Sequence, residues 1–191
     1  MSNNYHRVRI EAGKKRRVQR MLLGKSARLR PFEWSDAEKY RTWVNDSEII
    51  NLVDRVRPVT AVEHRRWYER ISEDSQIAIF AVDAMPDEKF VGCIWLYGID
   101  PRHRHAELRI LIGNREYWGS GVGTEAIRIL IDFAFNKLNL HKVYAYVLAS
   151  NQRALKTFRK VGFIREGVLK QERYVNGKFV DVVRFGCVRK V

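Results

Sequence analysis

A glycine-rich turn between a strand pattern and a helix pattern constrains this chain more than any other feature. The run from Tyr117 to Ala126 reads YWGSGVGTEA. Its glycines at 119, 121 and 123 can adopt positive φ and allow a ligand to approach the main chain closely. The amides that open the following helix lack intrahelical acceptors, and the helix dipole favours an anion there. The sequence therefore predicts a phosphate-binding turn.

Hydrophobic periodicity predicts the elements on both sides of this turn. Ala106 to Ile112 alternates between apolar and other residues, as a half-buried strand does. After the turn, apolar residues recur at spacings of one, three and four, which is typical of a helix with one apolar face. These helix residues are Ala126, Ile127, Leu130, Ile131, Ala134 and Leu138. A strand, a glycine turn and an amphipathic helix follow one another.

The two familiar nucleotide-binding motifs do not fit this turn. Its Gly-x-Gly-x-Gly spacing puts Thr124 where the third glycine of the dinucleotide fingerprint would stand, and no lysine follows to complete a Walker phosphate loop. A flexible glycine-rich connection without a ligand is the alternative interpretation of the turn alone.

A second strand and helix follow further along the chain. The segment from Lys142 to Val147 predicts a strand, and Ser150 and Asn151 are suited to cap the next helix. The apolar face of that helix consists of Ala154, Leu155, Phe158 and Val161. Gly162 is placed to end it as a C-cap.

The order of these motifs resembles the GCN5-related N-acetyltransferases (GNAT). The motifs are Trp118-Gly119-x-Gly121-x-Gly123-Thr124-Glu125-Ala126, Ala149-Ser150-Asn151-x-x-Ala154, Val161-Gly162-Phe163 and Arg165-Glu166-Gly167. The similarity is strongest to the branch that contains ribosomal-protein N-terminal, spermidine and amino-sugar-nucleotide acetyltransferases. It implies the GNAT fold, an α/β domain with a mixed, mostly antiparallel central sheet of six to seven strands flanked by about four helices.

The resemblance also implies acetyl-coenzyme A as co-substrate, and no metal. In this family the pyrophosphate lies on the amides of the glycine turn, and the pantetheine arm runs along the preceding strand like an added strand. The residues that the resemblance assigns to the co-substrate are Ile110, Leu111, Ile112, Trp118, Gly119, Ser120, Gly121, Val122, Gly123, Thr124, Asn151 and Phe158. For Asn151, capping its helix and contacting the co-substrate both stay open.

Acetyl transfer to an amine requires a group that removes a proton from the ammonium. Glu107 lies in the predicted co-substrate strand and is the first candidate for this base. An ion pair with Arg102, Arg104 or Arg109 is its alternative interpretation. Glu172 is the second carboxylate candidate.

The proton donor for the departing thiolate is less well defined by the sequence. Phe158 stands where many relatives carry a tyrosine, and phenylalanine cannot donate a proton. Tyr144, Tyr146 and Tyr174 are the remaining donors, of which Tyr174 is the catalytic candidate. Water is the alternative donor, because a thiol with a pKa near ~8.5 is a fair leaving group without an acid.

Charge and length predict one catalytic domain behind a basic arm. The chain has 191 residues and a formal net charge of +14. Residues 1–30 hold ten Lys or Arg but a single acidic residue, so the excess charge is concentrated at one end. We expect an arm over residues 1–25 and an acetyltransferase domain over 26–191. Nucleic-acid or ribosome contact through the arm is weighed against a solvated tail.

Two capping boxes predict helices in the region expected to shape the acceptor pocket. One opens at Ser35 and the other at Thr60. The segment 45–59 between them carries Asp46, Glu48, Asp54, Arg55 and Arg57, which suits either recognition or a solvated loop. His64 falls on the apolar face of the second helix and is expected to be packed.

The acceptor predicted from charge is a small primary amine. Because a strongly basic protein attracts polycations poorly, polyamines rank lower. An amino-sugar nucleotide is placed slightly ahead of a protein N-terminus, and a non-catalytic acyl-CoA-binding or ribosome-associated module is the rival class. A homodimer is also considered.

The location of the protein and its metal chemistry are predicted mainly from sequence patterns that the chain lacks. No apolar run approaches the ~18 residues that span a bilayer, so a cytoplasmic protein without membrane contact is expected. Cys93 and Cys187 are expected to be reduced thiols. His103-Arg104-His105 lacks the further ligands that a metal site needs.

Overall fold

The computed structural model describes residues 22–52 and 57–190, and its centre is one sheet of seven strands. The strands are β1 Ala27–Pro31, β2 Ala78–Ala84, β3 Lys89–Asp100, β4 His105–Ile112, β5 Lys142–Leu148, β6 Ile164–Val175 and β7 Lys178–Val188. They lie in the order β1-β2-β3-β4-β5-β7-β6. All neighbours are antiparallel except β4 and β5, which are parallel. The predicted mixed, mostly antiparallel sheet is confirmed.

Helices cover both faces of this sheet. They are α1 Trp34–Val44, α2 Ser47–Ile50, α3 Ala61–Glu73, α4 Val122–Asn136 and α5 Gln152–Val161. The four predicted helices are present. The single-turn helix α2 was not predicted, and it forms because the Asp46 side chain accepts hydrogen bonds from the amides of Glu48 and Ile49. Buried side chains of β2 and β3 alternate between a cluster with α4 and α5 and a cluster with α1.

Helix α1 begins before the predicted capping box. Glu33, not Ser35, is the N-cap, and the Asp36 carboxylate accepts a hydrogen bond from the Glu33 amide at 2.9 Å. Two further hydrogen bonds from Arg30, at 2.7 and 2.9 Å, hold the same carboxylate. The ion pair with the neighbouring strand thus fixes Asp36 at the third position of the helix, where the pattern had placed it at the first.

Helix α3 begins as predicted. The Thr60 amide donates to the Glu63 carboxylate at 3.0 Å, and the Glu63 amide donates to the Thr60 hydroxyl at 3.2 Å. One turn on, His64 is buried, and its Nε2 lies 2.5 Å from the carbonyl oxygen of Ala37. Because a carbonyl only accepts, Nε2 carries the proton of this bond. His64 is thus a packed histidine that ties α3 to α1.

A buried ion network joins the first two strands to α1. The Asp83 side chain on β2 is only 1% exposed and pairs with Arg28 at 2.7 Å and Arg30 at 2.9 Å, both on β1. Arg30 continues to Asp36 at the start of α1. Buried charges are tolerated only when they are paired and hydrogen-bonded. The network therefore fixes α1 against the edge of the sheet.

The central strands β4 and β5 separate soon after they meet. In the part of the chain that the structure describes, they pair only where residues 105–107 face residues 142–144. Beyond Glu107, β4 continues to Ile112 and pairs with β3, while β5 continues to Leu148 and pairs with β7. The facing edges of β4 and β5 are left without strand partners, so their peptide groups can bind another extended chain. We call this opening the wedge.

Candidate active site

The glycine turn has the backbone conformation that an anion site requires. Gly119 has a φ of 82° and Gly121, the N-cap of α4, has a φ of 95°. A Cβ atom at either position would meet nothing within 4 Å, so backbone conformation rather than space requires glycine there. The amides of Gly123 and Thr124 lie in the first helical turn, where no intrahelical acceptor exists. Free amides and the positive end of the α4 dipole therefore face the same point.

A cavity of about 320 Å³ lies beside this turn. It is bounded by the glycine turn, the end of β4 and the outer face of α5. Arg153, Lys156 and Lys160 line it, and none of its described lining residues is acidic. The guanidinium carbon of Arg153 also lies 3.9 Å from the ring centre of Trp118. This basic cavity, which we call the anion cavity, suits a phosphorylated ligand.

Most of the residues assigned to the co-substrate by sequence line the anion cavity. They are Ile110, Leu111, Ile112, Trp118, Gly119, Gly121, Gly123, Thr124, Asn151 and Phe158. Ser120 and Val122 do not: Ser120 is exposed and donates its hydroxyl to the Tyr117 carbonyl at 2.7 Å, while Val122 is buried in the core.

Sequence reasoning missed the three basic residues of α5 that line the anion cavity. Arg153, Lys156 and Lys160 are spaced by three and four, which places them on one helical face. This spacing was a usable signal.

Asn151 is positioned for both of the roles that the sequence left open. Its side-chain oxygen accepts a hydrogen bond from the Ala154 amide at 3.1 Å, which caps α5. The residue also lines the anion cavity and a second, larger one. Capping holds the side chain at the boundary between the two.

The second cavity, of about 540 Å³, opens on the other side of the wedge. We call it the acceptor cavity. It shares six lining residues with the anion cavity: Leu52, Ile110, Leu111, Asn151, Ala154 and Phe158. Besides Phe158, five aromatic residues form much of its wall: Tyr40, Trp67, Trp95, Tyr97 and Tyr146. Two ligands bound in the two cavities would meet at the wedge.

Among the described residues lining the acceptor cavity, the charged ones are Glu107, Arg109 and Arg173. Nε and Nη2 of Arg109 donate to the two carboxylate oxygens of Glu107 at 2.7 and 2.9 Å. The Arg109 guanidinium lies 4.2 Å from the ring centre of Tyr97. The bond to Glu107 raises the pKa of Arg109. Of the three ion pairs predicted as alternatives for Glu107, the one with Arg109 is formed.

The other two predicted catalytic residues do not lie beside Glu107. Within the described chain, Glu172 and Tyr174 line neither cavity. Glu172 pairs with Arg173 at 3.1 Å, and Tyr174 is 62% exposed and packs edge-on against Phe179. Arg173, which lies between them on β6, does line the acceptor cavity. The physical reason is therefore side-chain direction, because successive residues of a strand point to opposite faces.

Phe158 and the candidate tyrosines occupy different positions around the wedge. Phe158 is buried and packs against Phe163 and Phe185, with ring centres 5.0 and 5.8 Å away. Of the three tyrosines considered as proton donors, Tyr146 is the one that lines the acceptor cavity. Tyr144 lies next to it, and desolvation raises its pKa, with a smaller contribution from the Glu107 charge. Tyr146 is therefore the better placed donor.

The charges of the 45–59 segment are mostly paired within the protein. Arg115 binds both Asp46 and Glu48, the latter at 2.9 Å. Arg57 pairs with Glu63 at 2.5 Å. Asp54 and Arg55, like the basic arm before residue 22, lie outside the described residues.

Three further sequence expectations concern metals, thiols and membranes. No cluster of three or more potential metal ligands occurs in residues 22–52 or 57–190. Both cysteines are free thiols, and burial raises the pKa of each. No helix in the described ranges is long and apolar enough to cross a membrane.

The sheet opens beside a glycine turn, with a basic cavity on one side of the opening and an acceptor cavity on the other. This arrangement is typical of a transferase that uses a coenzyme A thioester. The family model described as Acetyltransferase (GNAT) domain matches residues 27–164. The chain belongs to this family, as the sequence motifs predicted. It is an N-acetyltransferase with acetyl-CoA as co-substrate.

Individual relatives agree with this assignment. The chain is 31% identical over 163 residues to spermidine N(1)-acetyltransferase of Escherichia coli, covering 85% of this chain and 86% of that protein. It is 27% identical to a putative ribosomal N-acetyltransferase of Bacillus subtilis, covering 90% of each. The structure of spermidine N-acetyltransferase from Vibrio cholerae in complex with CoA and spermine superposes with a TM-score of 0.80 at 28% identity, covering 86% and 96% of the two chains. These relatives do not support an amino-sugar nucleotide acceptor, so that prediction is dropped.

Proposed function

We propose that this enzyme acetylates a primary amine of a small molecule by direct attack within a ternary complex. The observation that carries the proposal is the wedge, where the anion cavity and the acceptor cavity share six lining residues. Two substrates held in these cavities would bring amine and thioester together without a covalent enzyme intermediate. Holding both reactants in one geometry is itself a large source of rate acceleration.

The anion cavity supports a defined set of contacts to acetyl-CoA. In the described chain, the edge of β4 from Leu108 to Leu111 that faces β5 pairs with no strand, and its peptide groups are suited to bind the pantetheine arm as an added strand. The amides between Gly119 and Thr124 are suited to the pyrophosphate. Arg153, Lys156 and Lys160 would neutralise the remaining phosphate charge.

Glu107 is the proposed general base. Its side chain is 14% exposed and lines the acceptor cavity at the point where β4 and β5 part. Directly or through one water, its carboxylate would take the proton that the acceptor ammonium must lose. The amine then forms the new bond to the acetyl carbon, and the thiolate leaves and takes a proton from Tyr146 or water.

The charge of the acceptor cavity favours an acceptor with few positive charges. Its described lining holds one carboxylate and two guanidinium groups. The excess positive charge of this lining repels a polycation. The cavity therefore supports a monoamine more than the spermidine of the Escherichia coli relative. A peptide N-terminus is the second candidate, because its amine has a pKa of about 7.7–8.0 and one relative is a putative ribosomal N-acetyltransferase.

Thiol release from acetyl-CoA, measured against three acceptor classes, tests this proposal. The classes are monoamines with aromatic or aliphatic skeletons, polyamines, and peptides with free N-termini. We expect the highest kcat/KM with a monoamine. Saturable CoA binding with no thiol release above hydrolysis for any class would contradict the proposed reaction, and preference for spermidine would contradict the acceptor class.

A further inference from the structure

We propose that Arg109 is a specificity-determining residue that selects amines carrying a carboxylate or phosphate group. In this inference the acceptor's acidic group takes Arg109 away from Glu107 and so frees Glu107 to act as base. The inference deepens the proposed function and rests on it, because it assumes Glu107 as base.

The geometry of the pair makes Glu107 a hindered base in the absence of acceptor. Both of its oxygens accept a hydrogen bond from Arg109, at 2.7 and 2.9 Å. A two-pronged guanidinium–carboxylate pair is among the strongest side-chain contacts. If Glu107 took up a proton in this arrangement, Arg109 would lose its anion while remaining charged. Deprotonation of an acceptor by Glu107 is therefore opposed until Arg109 has another partner.

Charge balance in the cavity points to the same requirement. The described lining has one negative and two positive side chains, Glu107 against Arg109 and Arg173. Protonation of Glu107 would leave Arg109 without its carboxylate, whereas Arg173 keeps its pair with Glu172. An acidic group on the acceptor would restore the balance, whereas a polyamine would add positive charge. An amine with an acidic substituent therefore provides an anion for Arg109 when Glu107 becomes protonated.

Arg109 is placed where it can change partners. Its side chain is 44% exposed, compared with 14% for Glu107. The guanidinium rests on the ring of Tyr97, which is itself 43% exposed. A guanidinium has five N–H donors, and Nη1 is not used in the bonds to Glu107. An anion can thus begin to bind Arg109 at the cavity mouth before the bonds to Glu107 break.

The proposed exchange leaves the reaction balanced. The acceptor's carboxylate or phosphate oxygens accept the N–H bonds of Arg109, and Glu107 then accepts one proton from the ammonium. The amine's electron pair forms the C–N bond as the C–S bond breaks. The thiolate leaves with that bond pair and takes a proton from Tyr146 or water.

Matched acceptor pairs test the inference. The pairs are phenylalanine with phenethylamine, 4-aminobutyrate with butylamine, and phosphoethanolamine with ethanolamine, each measured as kcat/KM across pH to separate amine ionisation from selection. We expect the wild-type enzyme to prefer the acidic member of at least one pair by tenfold or more. In Arg109→Met, which keeps an apolar stem on Tyr97, this preference should fall to less than twofold, and the rate with the neutral amine should rise.

Two further variants guard against a purely structural effect. Arg109→Lys retains the charge but not the two-pronged geometry, and should keep part of the preference. Arg65→Met is the matched control, because the Arg65 guanidinium also lies over an aromatic ring, 5.1 Å from the ring centre of Trp34, but Arg65 is not among the described residues lining either cavity. It should keep the full preference. Equal rates for both members of every pair, an equal loss on both in Arg109→Met, or spermidine as best acceptor would overturn the inference.

Equilibrium binding separates this inference from the proposed reaction. Calorimetric titration of the same amine pairs into the enzyme with CoA needs no turnover. Tighter binding of an acidic member that is lost in Arg109→Met, without acetylation of any amine, would overturn the proposed reaction and support Arg109 as the selecting residue. Acetylation of neutral amines without any binding preference would support the reaction and overturn the role of Arg109.

Discussion

Glu107 has a largely buried side chain that is paired with Arg109. The last β4–β5 pair is formed by Glu107 and Tyr144, so the carboxylate is fixed at the closed end of the wedge. A strand residue at this point has a defined direction, which suits a catalytic group better than a loop would. The sequence alone identified this residue and also its alternative, the ion pair. The ion pair is formed, and the role of base stays a prediction.

Glu107→Gln should lower kcat by about 10² to 10⁴, the usual contribution of a general base. The amide keeps the size of the side chain but does not take up the proton. The dissociation constant for CoA should remain unchanged, because Glu107 does not line the described anion cavity. Steady-state kinetics and calorimetry with CoA measure the two effects.

Glu172→Gln is the matched control for this experiment. Glu172 lies outside both described cavities and pairs with Arg173. Its replacement should leave kcat within about twofold of wild type, since surface ion pairs contribute at most ~1 kcal/mol. A loss as large as that of Glu107→Gln would show that the outer strand carries the base.

At the scale of single elements, the turn before α4 depends on backbone conformation. Gly121→Ala should destabilise the fold by about 1–2 kcal/mol, because alanine is strained at positive φ, and the φ of this residue is 95°. The same strain should raise the KM for acetyl-CoA about tenfold, equivalent to ~1.4 kcal/mol of binding. Urea unfolding and initial rates measure both quantities.

Gly167→Ala provides the comparison for this change. Gly167 has no positive φ, and a Cβ there would meet nothing within 4 Å. Its replacement should change stability by less than about 0.5 kcal/mol, as for other unconstrained surface sites. Equal effects at the two glycines would contradict a conformational requirement at the turn.

The capping box of α3 should make stability depend on pH in acid. The hydrogen bond from Arg57, and then those from the Thr60 amide and hydroxyl, lower the pKa of Glu63 from 4.5 to about 2. Since the pKa is lower in the folded state, the contribution of Glu63 is complete above about 4.5 and is lost as the pH falls towards about 2.

Glu63→Gln should therefore be less stable than wild type at neutral pH, and the difference should shrink across this interval. Urea unfolding of both proteins at several pH values measures it. A difference that stays constant with pH would contradict the lowered pKa.

At the scale of the whole molecule, the buried ion network around Asp83 joins β1, β2 and α1. Asp83→Ala should destabilise the protein by about 3 kcal/mol, the lower end for breaking a buried ion pair, because Arg28 and Arg30 lose their shared buried carboxylate but keep Glu88 and Asp36. Glu88→Gln is the control, since Glu88 also pairs with Arg28 but is 55% exposed. Its effect should be below about 1 kcal/mol. Similar losses in both variants would contradict the importance of burial.

Much of this architecture could be predicted from local sequence patterns. The glycine turn, the helix after it, the cap at Asn151 and the capping box at Thr60 all have causes within a few residues. The misplaced start of α1 depends on Arg30, a residue of another element. Local patterns do not include such a partner.

The candidate site was predicted unevenly for the same reason. Residues around the glycine turn could be assigned because turn and helix are adjacent in sequence. Glu172 could not be placed from the sequence, because it lies where the pairing of β6 with β7 shifts register, between Leu169 and Arg173. The separation of β4 and β5 has no signal in either strand alone.

The wedge has a consequence for how such an enzyme can diverge. A site that presents peptide groups to its co-substrate uses atoms that every amino acid shares, so substitutions along β4 leave those atoms in place. The aromatic and charged wall of the acceptor cavity, in contrast, consists of side chains that single mutations replace. Evolution can therefore exchange the acceptor while the thioester donor is inherited unchanged.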